Sequence, residues 1–173
     1  MKLHVDVQFA SSEPVPGNDD IRRWVAAALA GGAHAGEAGL CVRLVDRAEM
    51  SSLNETYRDK KGTTNVLSFP ADLPADVDLP LLGEIVICAP VVREEAVTQG
   101  KSNEAHWAHM AVHGTLHLLG YDHLEEKEAA LMESLETAIL AKLDYANPHD
   151  NPQDNPQDNP QDNQSLGDGQ QQQ

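Results

Sequence analysis

The stretch HWAHMAVHGTLHLLGYDH, residues 106–123, holds five of the eight histidines and constrains the fold more than any other part of the chain. His113 and His117 are four residues apart, so on a helix they lie on the same face. Gly120 can adopt the left-handed conformation that ends many helices, and the turn beyond it can bring His123 back to the same point. The spacing therefore predicts that His113, His117 and His123 bind one metal ion.

His109 is the competing third ligand, because it precedes His113 by the same four residues. The helix rises by about 12 Å from His109 to His117, whereas zinc–nitrogen bonds are about 2.0–2.1 Å long. Three imidazoles on one straight helix therefore cannot meet at one ion, and the geometry selects His123. We interpret His106 and His109 as cleft-lining residues or buried neutral histidines.

Three histidines leave one position of a tetrahedral zinc ion open. A structural zinc is closed by four protein ligands, whereas a catalytic zinc keeps a water there and lowers its pKa to about 7. Cys41 and Cys88 are far apart and each is predicted on a strand, so neither is an obvious fourth ligand. The sequence predicts one zinc ion and zinc-assisted hydrolysis, although imidazole also suits other first-row metals. A histidine-rich buried helix without metal is the alternative.

The apolar pattern predicts an α+β domain. Alternating or continuous apolar residues indicate four strands, at residues 3–9, 40–45, 66–69 and 85–88. Helical spacing indicates about five helices, among them the histidine helix, which is apolar nearly all round and therefore buried. We expect a small four-stranded mixed sheet covered by these helices, with the zinc site on the central histidine helix.

Two helix starts and one helix face are predicted in more detail. Asp46 and Glu49 have the spacing of a capping box at the start of the second helix. The last helix is expected to begin at residues 122–124, where Asp122 can cap it. Its predicted inner stripe consists of Leu131, Leu135, Ile139 and Leu143.

Charge and composition divide the chain in two. Residues 147–173 contain NPHD, three NPQD units and a Gln-rich end, with five Asp and no Lys or Arg. Nothing in this tail can offset the entropy of ordering, so we predict a domain over residues 1–146 and a disordered tail over 147–173. The net charge is −16 for the chain and −11 for residues 1–146. A nucleic-acid site on this acidic body must therefore be local.

The N-terminal segment and the cysteines indicate in which cellular compartment the protein is expected. MKLHVDVQF alternates apolar and polar residues and does not read as a secretory signal. No stretch approaches the roughly 20 apolar residues of a membrane span. Two unclustered cysteines then favour a reducing, cytoplasmic setting.

Residues 53–70 carry a local basic group, Arg58, Lys60 and Lys61. Arg58 could clamp a phosphate, because a guanidinium matches phosphate in a bidentate manner. Asn65 and Ser68 could orient a ligand, but such residues at strand ends more often bond the backbone.

The histidine spacing also matches the metzincin protease signature. Those proteases need a Glu directly after the first His as general base, and Gly114 stands there instead. A Gly inside a helix costs about 1 kcal/mol, so we expect it to permit close approach of backbone or substrate. The general base that a metzincin peptidase needs is therefore absent from this position.

Residues 113–123, HGTLHLLGYDH, resemble the H-G-x-L-H-L-x-G-Y-D-H signature of the YbeY family, the bacterial rRNA-maturation endoribonucleases. The segments at residues 57–58, 65–70 and 83–87 resemble that family in order and spacing, so the resemblance covers roughly residues 3–143. Lys61 and Gly62 depart from the acidic residue and Pro expected there. The tail lies outside the family pattern.

The resemblance implies a single-strand-specific, zinc-dependent endoribonuclease that acts in 16S rRNA 3′-end maturation and late-stage ribosome quality control. It implies His113, His117 and His123 as zinc ligands and Arg58 as a functional arginine. The implied partners are single-stranded RNA, 16S rRNA, the small ribosomal subunit, and ribosomal or assembly proteins. For the general acid or base, Asp122 and His109 are the nearby candidates.

Two other functions stay open at this point. One is a zinc hydrolase of another class, a peptidase or amidohydrolase, against which the absent Glu counts. The other is a non-catalytic ribosome assembly factor whose zinc only holds the fold. Cleavage of RNA or of a protein substrate, each dependent on His117, separates the three.

Overall fold

The computed structural model describes residues 2–74, 76–77, 79–122 and 124–149. Its strands and helices alternate along most of the chain, and the last three helices follow one another. In chain order they are β1 (Leu3–Phe9), α1 (Asn18–Gly31), β2 (Ala38–Val45), α2 (Arg47–Arg58), β3 (Val66–Pro70), β4 (Leu81–Cys88), α3 (Ala89–Gln99), α4 (Asn103–Leu118) and α5 (Glu126–Lys142). None of these helices is both long and apolar enough to cross a membrane.

The four strands form one mixed sheet in the order β1-β2-β4-β3. β2 pairs in parallel with both β1 and β4, whereas the edge strand β3 runs antiparallel to β4. The predicted α+β class, with a four-stranded mixed sheet and five helices, is confirmed. The near-continuous apolar run of β4 is explained by its interior position, because both of its faces are covered.

The sheet has a large and a small core on its two faces. On one face, Val42, Leu44, Ile85 and Ile87 pack with buried residues of α1, α4 and α5. On the other face, alternate residues of β4 pack with Leu67 and with Met50 of α2. The alternation follows from the two-residue period of a strand. The histidine helix α4 therefore lies on the opposite face of the sheet from α2.

Gly114 lies where α4 crosses the sheet. A Cβ added to it would come within 2.7 Å of Ile85 Cγ2, closer than real side chains pack. The close approach that the sequence predicted at Gly114 is therefore made with the side chain of a sheet residue. At the end of α4, Gly120 has φ +102°, the positive value expected of a helix-terminating glycine.

Two helix starts differ from the prediction. Asp46 is the residue before α2, but its side chain makes no capping bond. Its carboxylate accepts hydrogen bonds from Ser11 and Ser12 instead, which tie the loop after β1 to α2. α5 begins at Glu126, after Glu125 at the cap position, so Asp122 does not cap it.

The inner face of α5 agrees with the predicted stripe in part, because Ile139 is buried and Leu135 and Leu143 pack against the core. Its buried residues are Met132, Glu136, Ile139 and Leu140. Leu131 is instead exposed. Counting apolar residues selected a face that is rotated from the buried one, because one of the buried positions holds a carboxylate. That carboxylate, Glu136, is the central residue of the site described next.

Candidate metal centre

His113 and His117 lie side by side on α4, with ring centroids 4.9 Å apart. Both residues are partly exposed, whereas most neighbouring residues of α4 are buried. This is the arrangement that the four-residue spacing predicted. His123, the proposed third ligand, lies outside the described residues, so the three-histidine site stays a prediction.

Glu136 of α5 orients the first of these histidines. Its side chain is 2% exposed, and its Oε2 lies 2.5 Å from Nδ1 of His113. An ionised carboxylate can only accept, so Nδ1 of His113 must carry the proton. The other ring nitrogen, Nε2, then holds the lone pair, which is the tautomer that binds a metal through Nε2. A carboxylate behind a histidine in this way is the usual outer support of a metal ligand.

Glu136 also accepts from two further imidazoles. Its Oε1 lies 3.0 Å from Nε2 of His109 and 2.8 Å from Nε2 of His149. We call Glu136 with His109, His113 and His149 the Glu136 cluster. A nearly buried carboxylate is rare unless it is paired, and here three ring nitrogens satisfy it.

The pKa values of Glu136 and His109 are both lowered. Burial raises the pKa of Glu136, but attraction to His109 and the imidazole hydrogen bonds outweigh burial and hold it well below 4.5. Burial lowers the pKa of His109 to about 4, against the opposite effect of Glu136. At neutral pH, His109 is therefore a neutral imidazole that donates a hydrogen bond to a charged carboxylate. The hydrogen bonds, and not a charge on His109, then support the anion.

His149 reaches the cluster from the C-terminal segment. Asn147 Oδ1 accepts from Thr137 Oγ1 and from the His149 amide. Lys101 Nζ donates to the carbonyl of Pro148 at 2.8 Å. Residues 147–149 thus contact the body beyond the predicted domain boundary at residue 146. The rest of the predicted disordered tail lies outside the described residues.

Within the described part of the chain, one group of three side chains is arranged so that it could hold a metal ion. It consists of His109, Glu136 and His149, whose ligand atoms all lie within 4.8 Å of one another. The sequence did not predict this group.

A second carboxylate supports a histidine deeper in the molecule. Glu95 of α3 accepts from His106 Nε2 at 2.8 Å and from Asn65 Nδ2 at 3.1 Å. We call these three residues the Glu95 cluster. His106 is 1% exposed, and its Nδ1 is buried without a hydrogen-bond partner among the described residues. His106 is therefore a core histidine, one of the two roles that the sequence suggested for it.

The other predicted polar residues lie around β3. Ser68 Oγ donates to the carbonyl of Gly114 at 3.1 Å, so Ser68 joins the edge strand to α4. Asn65 belongs to the Glu95 cluster, through its Nδ2. Arg58 is exposed at the end of α2. Its neighbour Tyr57 packs edge-on against Phe69, at 5.3 Å between ring centroids.

Arg58 and the histidines are therefore on different sides of β3. Phe69 faces the small core beside α2, whereas Ser68, the preceding residue, faces α4. Only the edge strand separates the two sides. In the described residues Arg58 makes no ion pair, so its guanidinium is available to an anion.

The two cysteines are free and distant from this centre. Cys41 lies on β2 and Cys88 at the end of β4. Burial and the nearby Glu84 raise the pKa of Cys41 to about 11, and burial also raises the pKa of Cys88. Both thiols are therefore protonated at neutral pH.

Fold and site together define a class of protein: an α+β domain whose buried helix offers two adjacent imidazoles, one of them oriented by a buried carboxylate. The sequence model of the family described as Endoribonuclease YbeY matches residues 9–144. The chain belongs to this family.

Individual relatives agree with the family match. Endoribonuclease YbeY of Pseudomonas putida is 52% identical over 148 residues, which is 85% of this chain and 93% of that protein. Its counterpart from Psychromonas ingrahamii is 51% identical over 153 residues, covering 86% and 97%. That from Cellvibrio japonicus is 50% identical over 150 residues, covering 86% and 84%.

A solved structure supports the fold independently. The solution structure of TM1509 from Thermotoga maritima superposes with a TM-score of 0.53 at 22% identity, covering 82% of this chain and 97% of that one. At this identity the likeness concerns the fold alone.

Sequence reasoning missed Glu136 and His149. Glu136 carries a signal, because it lies four residues after Met132 and three before Ile139, on the face those apolar residues define. His149 carries a weaker one, since it is the single His within the NPxD repeats. Neither signal names a partner, because both depend on the tertiary contact with α4.

Proposed function

We propose that this chain is a zinc-dependent endoribonuclease specific for single-stranded RNA, acting in 16S rRNA 3′-end maturation and late-stage ribosome quality control. Membership of the Endoribonuclease YbeY family supports RNA cleavage. The observation that carries the zinc site is the bond from His113 Nδ1 to Glu136, because a carboxylate on the second ring nitrogen is the usual support of a histidine that binds a metal. His113, His117 and His123 would hold one zinc ion.

The described residues fit a zinc ion. Two imidazoles stand next to each other on a partly exposed face, and imidazole is a preferred zinc ligand. When bound, zinc supplies Lewis-acid polarisation of the phosphodiester and makes water a nucleophile at neutral pH. No described Cys lies in position to close the site. A position for water and substrate is what a catalytic zinc needs.

The chain's own residues have three tasks in this proposal. Glu136 keeps the proton on Nδ1 of His113 and so fixes the tautomer and the ring direction. His117 provides the adjacent nitrogen from the next turn of α4. Arg58 contacts the phosphate from the far side of β3 and stabilises the negative charge that develops during cleavage. An RNA strand that bends around this sheet edge would touch both sides.

The acidic body limits how RNA binds. Residues 1–146 carry a net charge of −11, so a long electrostatic contact is unfavourable. A narrow cleft with few cations suits a single strand, and ribosomal or assembly proteins would supply the remaining affinity. We therefore place the protein on the small ribosomal subunit in the cytoplasm.

The test is cleavage of a labelled single-stranded RNA by the zinc-restored protein. His117→Ala, purified identically, is expected to lose at least about 100-fold in rate, because the metal-ion contribution is lost. Arg58→Ala is expected to lose about 10- to 100-fold while keeping its zinc, since a charge-stabilising contact is removed. Lys61→Ala is the matched control on the same basic segment and should stay within about twofold.

The outcomes separate the open functions. Equal cleavage by wild type and His117→Ala would identify a contaminating nuclease and remove the enzymatic evidence. Zinc binding without any RNA cleavage, also on intact small subunits, would favour the assembly factor. His117-dependent cleavage of casein but not of RNA would favour a peptidase.

A further inference from the structure

We propose that His109, Glu136 and His149 form a second divalent-cation site, which fastens the C-terminal segment 147–149 to helices α4 and α5. Two imidazoles and a carboxylate make a known ligand set for zinc and other first-row metals. This site is distinct from the proposed one at His113, His117 and His123, and it does not depend on RNA cleavage.

The ligand distances are close to those of an occupied site. Glu136 Oε1 lies 3.0 Å from His109 Nε2 and 2.8 Å from His149 Nε2. Ligand atoms around a tetrahedral zinc are about 3.3 Å apart, given metal–ligand distances of about 2.0–2.1 Å. Glu136 would therefore separate from each imidazole by only about half an ångström when an ion replaces the two hydrogen-bonding protons. All three ligand atoms already lie within 4.8 Å of one another.

The charge balance also favours a cation. Glu136 is a buried anion whose direct described partners are imidazoles, and the fixed positive charge near it is Lys101. Lys101 Nζ is engaged by the carbonyl of Pro148. A buried carboxylate is costly unless it is paired or coordinates a metal. A divalent ion at Oε1 supplies the missing positive charge directly.

A metal ion would reach this second site from the solvent side, where His149 lies. Its side chain is 33% exposed, whereas that of His109 is 12% exposed and that of Glu136 is 2% exposed. An ion can thus enter from solvent and keep water in the remaining position. The C-terminal segment provides the outer ligand, so binding of the ion and docking of the segment are one event.

The sequence of the tail singles out His149. The first repeat reads Asn-Pro-His-Asp at residues 147–150, whereas the three that follow read Asn-Pro-Gln-Asp. The imidazole occurs only in the repeat that reaches Glu136. The family match ends at residue 144, so this ligand comes from a part of the chain beyond the family's own pattern.

The test counts zinc ions bound per chain by the full-length protein. Metal-free protein is dialysed against buffered zinc and analysed by mass spectrometry of the metal. Wild type is expected to bind two ions and His149→Gln one. Gln is the residue of the later repeats, and its amide can still donate to Glu136. His34→Gln, at a partly exposed histidine elsewhere, is the matched control and keeps two ions.

His117→Ala separates this proposal from the proposed function. It should also bind one ion, and the double variant with His149→Gln should bind none. If His149→Gln binds as many ions as wild type, the second site is refuted, whatever His117→Ala does. If His149→Gln loses one ion and His117→Ala loses none, the second site stands and the zinc site of the proposed function is refuted.

Hydrogen exchange of the peptide containing residues 145–149 tests the docking. Zinc should slow its exchange in wild type and His117→Ala, but not in His149→Gln. Zinc-independent exchange in wild type would overturn the idea that the ion fastens this segment.

Discussion

Two carboxylates, Glu95 and Glu136, bind histidines of the same helix, and they differ in how exposed those histidines are. In the Glu95 cluster, His106 is 1% exposed and its second ring nitrogen is enclosed without a partner. In the Glu136 cluster, His113 is 19% exposed and lies beside His117 on a partly exposed face of α4. A carboxylate–histidine pair is therefore a structural element in one place and a support for a metal ligand in the other.

The comparison teaches that the exposure of the imidazole, and not the carboxylate bond, distinguishes the two roles. Both carboxylates come from helices that pack on α4, and both bonds have ordinary or short lengths. The Glu95 cluster joins α3, α4 and the start of β3 through Asn65. The Glu136 cluster instead opens toward solvent on the side of His113 and His149.

The largest expected difference between the clusters is in pH dependence. Burial lowers the pKa of His109 to about 4 from 6.5, against Glu136, with His113 and Lys101 adding to the lowering. The unfolded chain therefore binds a proton at higher pH than the folded chain does. The stability from neutral His109 is complete above pH 6.5 and is lost as pH falls toward 4, up to about 3 kcal/mol.

Protonation of Glu136 also lowers the free energy of unfolding, but at a lower pH than protonation of His109. Its pKa lies below 4.5, so its contribution is present above that value and is lost as pH falls through the folded pKa. Urea unfolding of metal-free protein from pH 7 to pH 4 therefore measures mainly the contribution of His109. His109→Gln keeps a donor for Glu136 but cannot titrate, so its stability should fall less steeply. Equal slopes for variant and wild type would contradict the assignment.

The next largest expected effect is on zinc affinity, when Glu136 no longer orients His113. Glu136→Gln keeps the shape but removes the anion that holds the Nδ1 proton. We expect zinc affinity at the His113 and His117 site, and RNA cleavage with it, to fall about 10- to 100-fold. Measurement in a His149→Gln background removes the second cation from the comparison.

Glu133→Gln is the control for that substitution, because Glu133 is exposed one turn earlier on α5. Its zinc affinity should equal that of the background. Unchanged affinity in Glu136→Gln as well would show that the Glu136 cluster is as purely structural as the Glu95 cluster.

The sequence predicted the sheet, the order of elements and the paired histidines because each leaves a local pattern. The buried face of α1, for example, consists of the five residues that helical spacing indicates, namely Ile21, Trp24, Val25, Ala28 and Leu29. Likewise, His113 and His117 are adjacent because of their spacing alone. Local periodicity is sufficient where apolar residues fill the buried face.

Residues whose role depends on a distant partner could not be predicted in this way. Glu136 was missed because a carboxylate on a helix normally faces solvent, and only the imidazoles of α4 make its burial favourable. Asp46 was assigned to a cap, but Ser11 and Ser12 compete for its oxygens from 34 or 35 residues away. In both cases a long-range hydrogen bond outweighs the local pattern.

The smallest expected effect belongs to Glu95. Glu95→Gln removes the negative charge, but the amide oxygen can still accept from His106 and Asn65. We expect the free energy of unfolding to fall by about 1 kcal/mol, the difference between a charged and a neutral acceptor. Zinc content and RNA cleavage should stay within about twofold, because His106 has no accessible nitrogen. A tenfold loss of cleavage in a folded Glu95→Gln protein would mean that enclosure of the second nitrogen does not separate structural from functional histidines here.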